Sequence, residues 1–123
     1  MKNQKFSLLA RLKSFKYAFN GLKVLIIEEH NSRVHAIAAI GVIAGGFYFK
    51  ISGMEWLAVI LSIGFVISME IVNSAIENIC DFISPEKHGL IKKIKDLAAA
   101  AVLVSAFTAI VIAAIIFIPK FTS

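Results

Sequence analysis

The stretch Glu70-Ile-Val-Asn73-Ser-Ala-Ile-Glu77-Asn-Ile-Cys-Asp81 closes a long apolar run of this sequence. At 100° per residue in a helix, Glu70, Asn73, Glu77 and Asp81 fall within an arc of roughly 80°, so carboxylates line one side of an otherwise apolar helix. An ionised carboxylate in hydrocarbon costs roughly 2.5–3.5 kcal/mol on insertion scales, and ionisable residues there mark a transport pathway or a reaction site. A structural polar seam between helices is the alternative.

The composition places this stretch in a membrane protein. Of the 123 residues, 59% are hydrophobic and the mean hydropathy is +0.82, whereas a soluble domain is about 45–50% apolar. The net charge of +5 comes from basic residues that flank the apolar runs, which is typical of topology signals and anionic-lipid contact. We therefore expect the lipid bilayer, and no nucleic acid, as a partner.

Hydrophobic periodicity predicts an all-α membrane protein of one domain, residues 1–123. An N-terminal amphipathic helix, basic on one face and rich in Phe and Leu on the other, is expected to lie in the membrane interface. Three apolar helices are expected to span the membrane, although the first is short against the ~20 residues usually needed. A polar turn is expected at 28–33, and Pro85 should end the second span. The interfacial helix is predicted at 5–27 and the spans at 34–49, 56–83 and 97–118.

The basic residues also predict an orientation. Seven Lys and Arg precede the first predicted span and four lie between the second and third, against one in the first turn and one near the C-terminus. Cytoplasmic loops carry such an excess, so the N-terminus and the 84–96 loop are predicted to be cytoplasmic. The acidic stretch, the Glu28-Glu29 pair and the Lys95-Asp96 pair then meet at the membrane face where ATP is available.

The sequence has no P-loop, kinase Gly-rich loop, HExxH or GxSxG motif, so the usual nucleotide and hydrolase signatures are absent. Carboxylates and a lysine at a membrane boundary could nevertheless supply what phosphoryl transfer needs: oxygen ligands for Mg²⁺, a cation for the phosphates and a base for the attacking hydroxyl. Proton or cation conduction and a structural helix hairpin remain open alternatives from the residues alone.

The acidic stretch, together with His88 and with Lys95-Asp96 followed by small residues, resembles the signature of the prokaryotic integral-membrane diacylglycerol kinase family. The resemblance extends from Phe15-Lys16-Tyr17 through Glu29 to the third span. It implies an ATP-dependent lipid kinase of the bacterial inner membrane, in which homotrimers with sites shared between subunits transfer the γ-phosphate to the primary hydroxyl of a lipid alcohol. Diacylglycerol would then become phosphatidic acid.

This resemblance also implies residue roles. Glu70 is the implied general base, and Glu29 and Glu77 are the implied ligands of Mg²⁺ with ATP. The candidate ATP-binding residues are Tyr17, Glu29, Asn73, Glu77, Glu86, Lys87, His88, Lys95 and Asp96, and the candidate lipid-substrate residues are Glu70, Ala99, Arg33 and Tyr48.

Two alternatives follow from the same residues. His35, Glu55-Trp56 and the C-terminal Ile-Phe-Ile-Pro-Lys resemble the Gram-positive branch of the family, whose members phosphorylate undecaprenol, so the product could be undecaprenyl phosphate. A small trimeric proton or cation channel that uses the acidic face is the alternative from another functional class.

Overall fold

The computed structural model describes residues 7–83 and 89–122, and this part of the chain is α-helical, as predicted. Four helices follow one another. They are α1 (Leu8–Glu28), α2 (His30–Phe49), α3 (Gly53–Ile83) and α4 (Gly89–Thr122).

The polar turn expected at 28–33 is reduced to one extended residue. Glu29, with φ −104° and ψ 111°, separates α1 from α2, and residues from His30 onward are already helical. Residues 28–33 contain no Pro or Gly, and the helical backbone is interrupted at Glu29 only. α2 therefore has 20 residues and a length of about 30 Å, which removes the shortfall expected for the first span.

α3 begins at Gly53, ahead of the predicted start at 56, because a capping box forms there. The Ser52 hydroxyl accepts a hydrogen bond from the Glu55 backbone N–H at 3.2 Å, and Glu55 Oε1 accepts from the Ser52 N–H at 2.9 Å. These reciprocal bonds satisfy amides that a helix start leaves without intrahelical partners.

α4 begins at Gly89, eight residues before the predicted start at 97, and continues past Pro119. Three of the basic residues expected in the 84–96 loop, Lys92, Lys93 and Lys95, therefore occupy its first two turns, since no helix breaker lies between Gly89 and Pro119. The predicted stop at Ser84-Pro85 falls outside the described residues, which include α3 up to Ile83.

The apolar core lies near the α2–α3 turn, at the far end of the molecule from the acidic stretch. Ile51, Val59 and Ile116 are buried there, with Trp56 packed against them. Gly46 permits this packing, because a Cβ at its position would lie 2.6 Å from the Trp56 ring. Across α3 and α4, the Lys120 ammonium lies 3.1 Å from the Glu55 carboxylate. Of the glycines in the first span, Gly45 and Gly46 lie against the side chains of Phe117 and Trp56, whereas Gly41 has no neighbour within 4 Å of its Cβ position.

α2, α3 and α4 are long and apolar enough to cross a membrane. Only 11%, 22% and 11% of their most apolar windows are buried within the chain. Most of their Leu, Ile, Val and Phe side chains consequently point outward, where lipid or another subunit must cover them. The fold is that of a membrane protein.

Candidate active site

The acidic face predicted for α3 exists, and its deepest carboxylate is Glu70. This residue is 5% exposed, and Ser74, one turn later, is 8% exposed. Earlier in α3, on the same face, the apolar side chains of Val59 and Val66 are buried. α3 therefore changes from an apolar contact surface to a polar one as it passes Glu70.

His35 of α2 is the partner of Glu70. Its Nδ1 lies 2.5 Å from Glu70 Oε2, and the His35 side chain is 28% exposed. A buried carboxylate is costly unless it is paired and hydrogen-bonded, and the imidazole supplies that pairing.

Glu29 reaches the same face from the break between α1 and α2. Its Oε2 accepts a hydrogen bond from the Ser74 hydroxyl at 3.2 Å. Ser74 is four residues from Glu70 and three from Glu77, which is about 6 Å and 4.5 Å along the helix axis. One chain thus places Glu29 beside the stretch of α3 that lies between Glu70 and Glu77.

α4 brings a cation to the end of this face. The Lys95 ammonium lies 2.6 Å from Asp81 Oδ1, and it is also within electrostatic reach of Glu77. Glu77 is half-buried and forms no ion pair or hydrogen bond with the described residues. The arrangement therefore combines a line of carboxylates with one lysine positioned to contact an additional anion.

The described residues contain no group of three or more His, Cys, Asp or Glu side chains that could hold a metal ion by themselves. Mg²⁺, however, is usually bound through one or two carboxylates together with substrate phosphates. Glu29 and Glu77 offer such carboxylates. Asn73, on the same face, has a buried amide oxygen without a hydrogen-bond partner in the described part of the chain. This all-oxygen donor set fits the chemistry of Mg²⁺ bound with a nucleotide.

Residues 16–117 match the family described as prokaryotic diacylglycerol kinase. The chain belongs to this family. It is therefore a lipid kinase, a phosphotransferase, as the family resemblance implied. The kinase is 41% identical over 108 residues to the undecaprenol kinase of Bacillus subtilis, with 88% of each chain covered. It is 38% identical over 92 residues to a diacylglycerol kinase of Helicobacter pylori, with 75% of this chain and 72% of the relative covered. It is 30% identical over 100 residues to the diacylglycerol kinase of Escherichia coli K12, with 81% and 82% covered.

Other predicted site residues of the kinase lie away from this cluster or on its margin. Asp96 is exposed and pairs with Lys92 one turn earlier, at 2.6 Å. Tyr17 of α1 is 69% exposed. Arg33, near the start of α2, is exposed and forms no ion pair with the described residues. Glu86, Lys87 and His88 fall outside the described residues.

Two predicted lipid-substrate residues occupy different surfaces. Ala99 is exposed, whereas its neighbour Ala98 is 8% exposed and faces the interior. Tyr48 is 80% exposed and lies 13 positions after His35 in α2, which corresponds to about 20 Å along the helix. Tyr48 is therefore close to the opposite end of α2 from the carboxylate cluster.

Sequence analysis of the kinase missed the contacts that His35 and Ser74 make. A signal for the first was present: His35 lies 15 residues before the turn at 50–52 and Glu70 lies 18 residues after it, so their heights in an antiparallel pair differ by less than one helical turn. Residues at equal distances from the turn of an antiparallel helix pair lie at the same height, because both helices rise by about 1.5 Å per residue. Glu29 and Ser74 obey the same relation.

Proposed function

We propose that this kinase transfers the γ-phosphate of ATP to the primary hydroxyl of a membrane lipid alcohol, with Glu70 as the general base. The observation that carries the proposal is the buried Glu70 carboxylate, held by His35 at the deep end of a polar face that continues to Glu77 and Asp81. An acceptor hydroxyl that reaches Glu70 from the lipid would meet a nucleotide bound at the more exposed end of this face.

The transfer needs no reactant besides ATP and the lipid alcohol. The lipid oxygen forms a bond to the γ-phosphorus, the bond between that phosphorus and the β–γ bridging oxygen breaks, and ADP leaves. Glu70 accepts the proton of the attacking hydroxyl. General base catalysis of this kind contributes typically about 10²–10⁴-fold.

Glu29 and Glu77 would hold Mg²⁺ together with the ATP phosphates, and the unpartnered amide oxygen of Asn73 would add a neutral oxygen. When bound, Mg²⁺ would neutralise part of the negative charge of the phosphates. The Lys95 ammonium can turn from Asp81 toward a phosphate, since both members of that pair are partly exposed. The remaining nucleotide contacts that we propose come from Tyr17, Asp96 and the segment Glu86-Lys87-His88.

The acceptor is proposed to be diacylglycerol, giving phosphatidic acid, or undecaprenol, giving undecaprenyl phosphate. Relatives named diacylglycerol kinase support the first, and the 41% identity to an undecaprenol kinase supports the second. Arg33 is an exposed cation in the first turn of α2, and we propose that it contacts the polar end of the acceptor. Ala99 and Tyr48 would contact its apolar part, and Tyr48 could do so only far from the reacting hydroxyl.

We further propose a homotrimer in the bacterial inner membrane, with the N-terminus and the segment 84–96 on the cytoplasmic side. Glu77 is only half-buried and Asp81 is exposed in a single chain, so neighbouring subunits are needed to keep lipid away from this face. The exposed Phe and Leu side chains of α1, with lysines between them, support its location in the membrane interface.

The function is tested by incubating the purified protein in lipid nanodiscs with radiolabelled ATP, Mg²⁺ and each lipid separately. We expect labelled lipid product with at least one acceptor. Glu70→Gln should lower kcat by about 10²–10⁴-fold while leaving the KM for ATP nearly unchanged, because the amide keeps the shape of the side chain but is not a base.

This assay, together with a measurement of ion flux, distinguishes the alternatives. Absence of labelled product from both lipids would overturn the kinase assignment, and near-normal turnover by Glu70→Gln would remove the role of Glu70. Ion flux in vesicles without ATP, abolished by Glu70→Gln, would instead support the channel.

A further inference from the structure

We propose that His35 is a positioning residue for the catalytic base: its Nδ1–H donates a hydrogen bond to Glu70 Oε2 and thereby directs Oε1 toward the acceptor hydroxyl. This inference rests on the proposed function of Glu70. The two atoms lie 2.5 Å apart, whereas Oε1 forms no hydrogen bond with the described residues. One oxygen is thus held by the protein and the other is available to take a proton.

The surroundings of His35 make this bond important. An apolar groove beside the ring is formed by α2, α3 and α4, and its lining includes Ala38, Val66 and Ala106. The other lining residues are also apolar, and Glu70 is the ionisable group that contacts His35 within the described ranges. In such a weakly polar environment a lost hydrogen bond is poorly replaced by water, so the carboxylate would be left without its partner.

The scaffold is suited to hold this geometry. His35 lies in the second turn of α2, and Glu70 lies in the interior of α3. The short connection at 50–52 joins these two helices, whose side chains pack together near it. Both side chains are therefore mounted on regular helices, where a site is held more rigidly than on loops.

Removing the donor should misplace the base without weakening nucleotide binding. A shift of about 1 Å in a reacting group can cost about 10²-fold in rate, so we expect His35→Leu to lower kcat by about 10–10²-fold with the KM for ATP unchanged. The side-chain amide of Asn can occupy nearly the position of Nδ1, so His35→Asn should recover most of this loss. The amide of Gln reaches toward the position of Nε2, so His35→Gln should remain as slow as His35→Leu.

A residue that acts through Glu70 must also show non-additive effects with it. The double variant Glu70→Gln/His35→Leu should be no slower than Glu70→Gln alone, because no base then remains to be positioned. If His35→Asn were as slow as His35→Leu, or if the two losses multiplied in the double variant, the positioning role would be overturned.

A spectroscopic measurement tests the contact independently of turnover. In protein labelled with ¹⁵N-histidine, the resonance that disappears in His35→Asn identifies His35, and exposed His30 serves as the control. We expect a protonated Nδ1 for His35, with a resonance that shifts in Glu70→Gln while that of His30 does not. An unprotonated Nδ1, or a resonance insensitive to Glu70→Gln, would overturn the inference. Failure to label either lipid would overturn the role of Glu70 as base, and the spectrum would still decide whether the pair exists.

Discussion

Co-assembly of a Glu29→Gln chain with a Glu70→Gln chain is expected to restore no activity. The reason is the placement of both carboxylates on one chain: Glu29 accepts a hydrogen bond from Ser74 of its own α3 at 3.2 Å, and Ser74 is one helical turn from Glu70. Every chain in the mixture would then carry one defect in its own site. The family resemblance implies sites that are shared between subunits. In this structure Glu29 and Glu70 belong to the same chain, so any residues contributed by a neighbouring subunit would be others.

If Glu29 and Glu70 of one site instead came from different subunits, the activity recovered on mixing could be calculated. If Glu29 of one subunit served Glu70 of the next in a trimer, an intact site would need one chain of each kind in the correct order. Every mixed trimer, whether 2:1 or 1:2, contains one such ordered pair among its three, so about a third of the wild-type activity should return in purified mixed trimers. A within-chain site predicts recovery near zero, and the two outcomes are easily separated.

The assay uses two affinity tags, one for each variant, so that only mixed assemblies are purified before lipid phosphorylation is measured. Wild-type chains mixed with Glu70→Gln chains provide the control, and their activity should fall in proportion to the wild-type fraction. Recovery near one third in the purified mixed trimers, with a linear control, would refute the within-chain site.

Two further predictions follow from the contacts described. Glu29→Gln and Glu77→Gln should each raise the Mg²⁺ concentration for half-maximal activity by about 10-fold or more, since each removes an anionic oxygen ligand; an unchanged Mg²⁺ requirement in both variants would assign these carboxylates to packing. Gly46→Ala should destabilise the fold by about 1–3 kcal/mol through overpacking, because its Cβ would lie 2.6 Å from the Trp56 ring. Gly41→Ala has no neighbour within 4 Å of its Cβ and should be nearly neutral, so equal thermal stability of the two variants would contradict the packing explanation.

Helix type was predictable for every element, and the end of the first span at 49 was predicted correctly, but the starts of α2, α3 and α4 were not. The apolar periodicity of the chain predicted four helices, three of them able to span a membrane, and the structure contains them. These three starts were predicted too late because they were set where the apolar runs begin. Helical hydrogen bonding extends beyond the apolar runs. The Ser52–Glu55 capping box starts α3 at Gly53, and α4 starts at Gly89, so that it includes Lys92, Lys93 and Lys95.

The sequence by itself determined the acidic face of α3, since the spacing of Glu70, Asn73 and Glu77 is a local property of a helix with 3.6 residues per turn. Only the tertiary structure decided what meets that face. His35 and Glu29 reach it across 35 and 45 residues of chain, and such contacts depend on how the helices are aligned by the turn between them and by the packing of Trp56 on Gly46. A shift of one residue in that alignment rotates a side chain by 100° around its helix, so the partner of Glu70 is fixed by packing that no local pattern encodes.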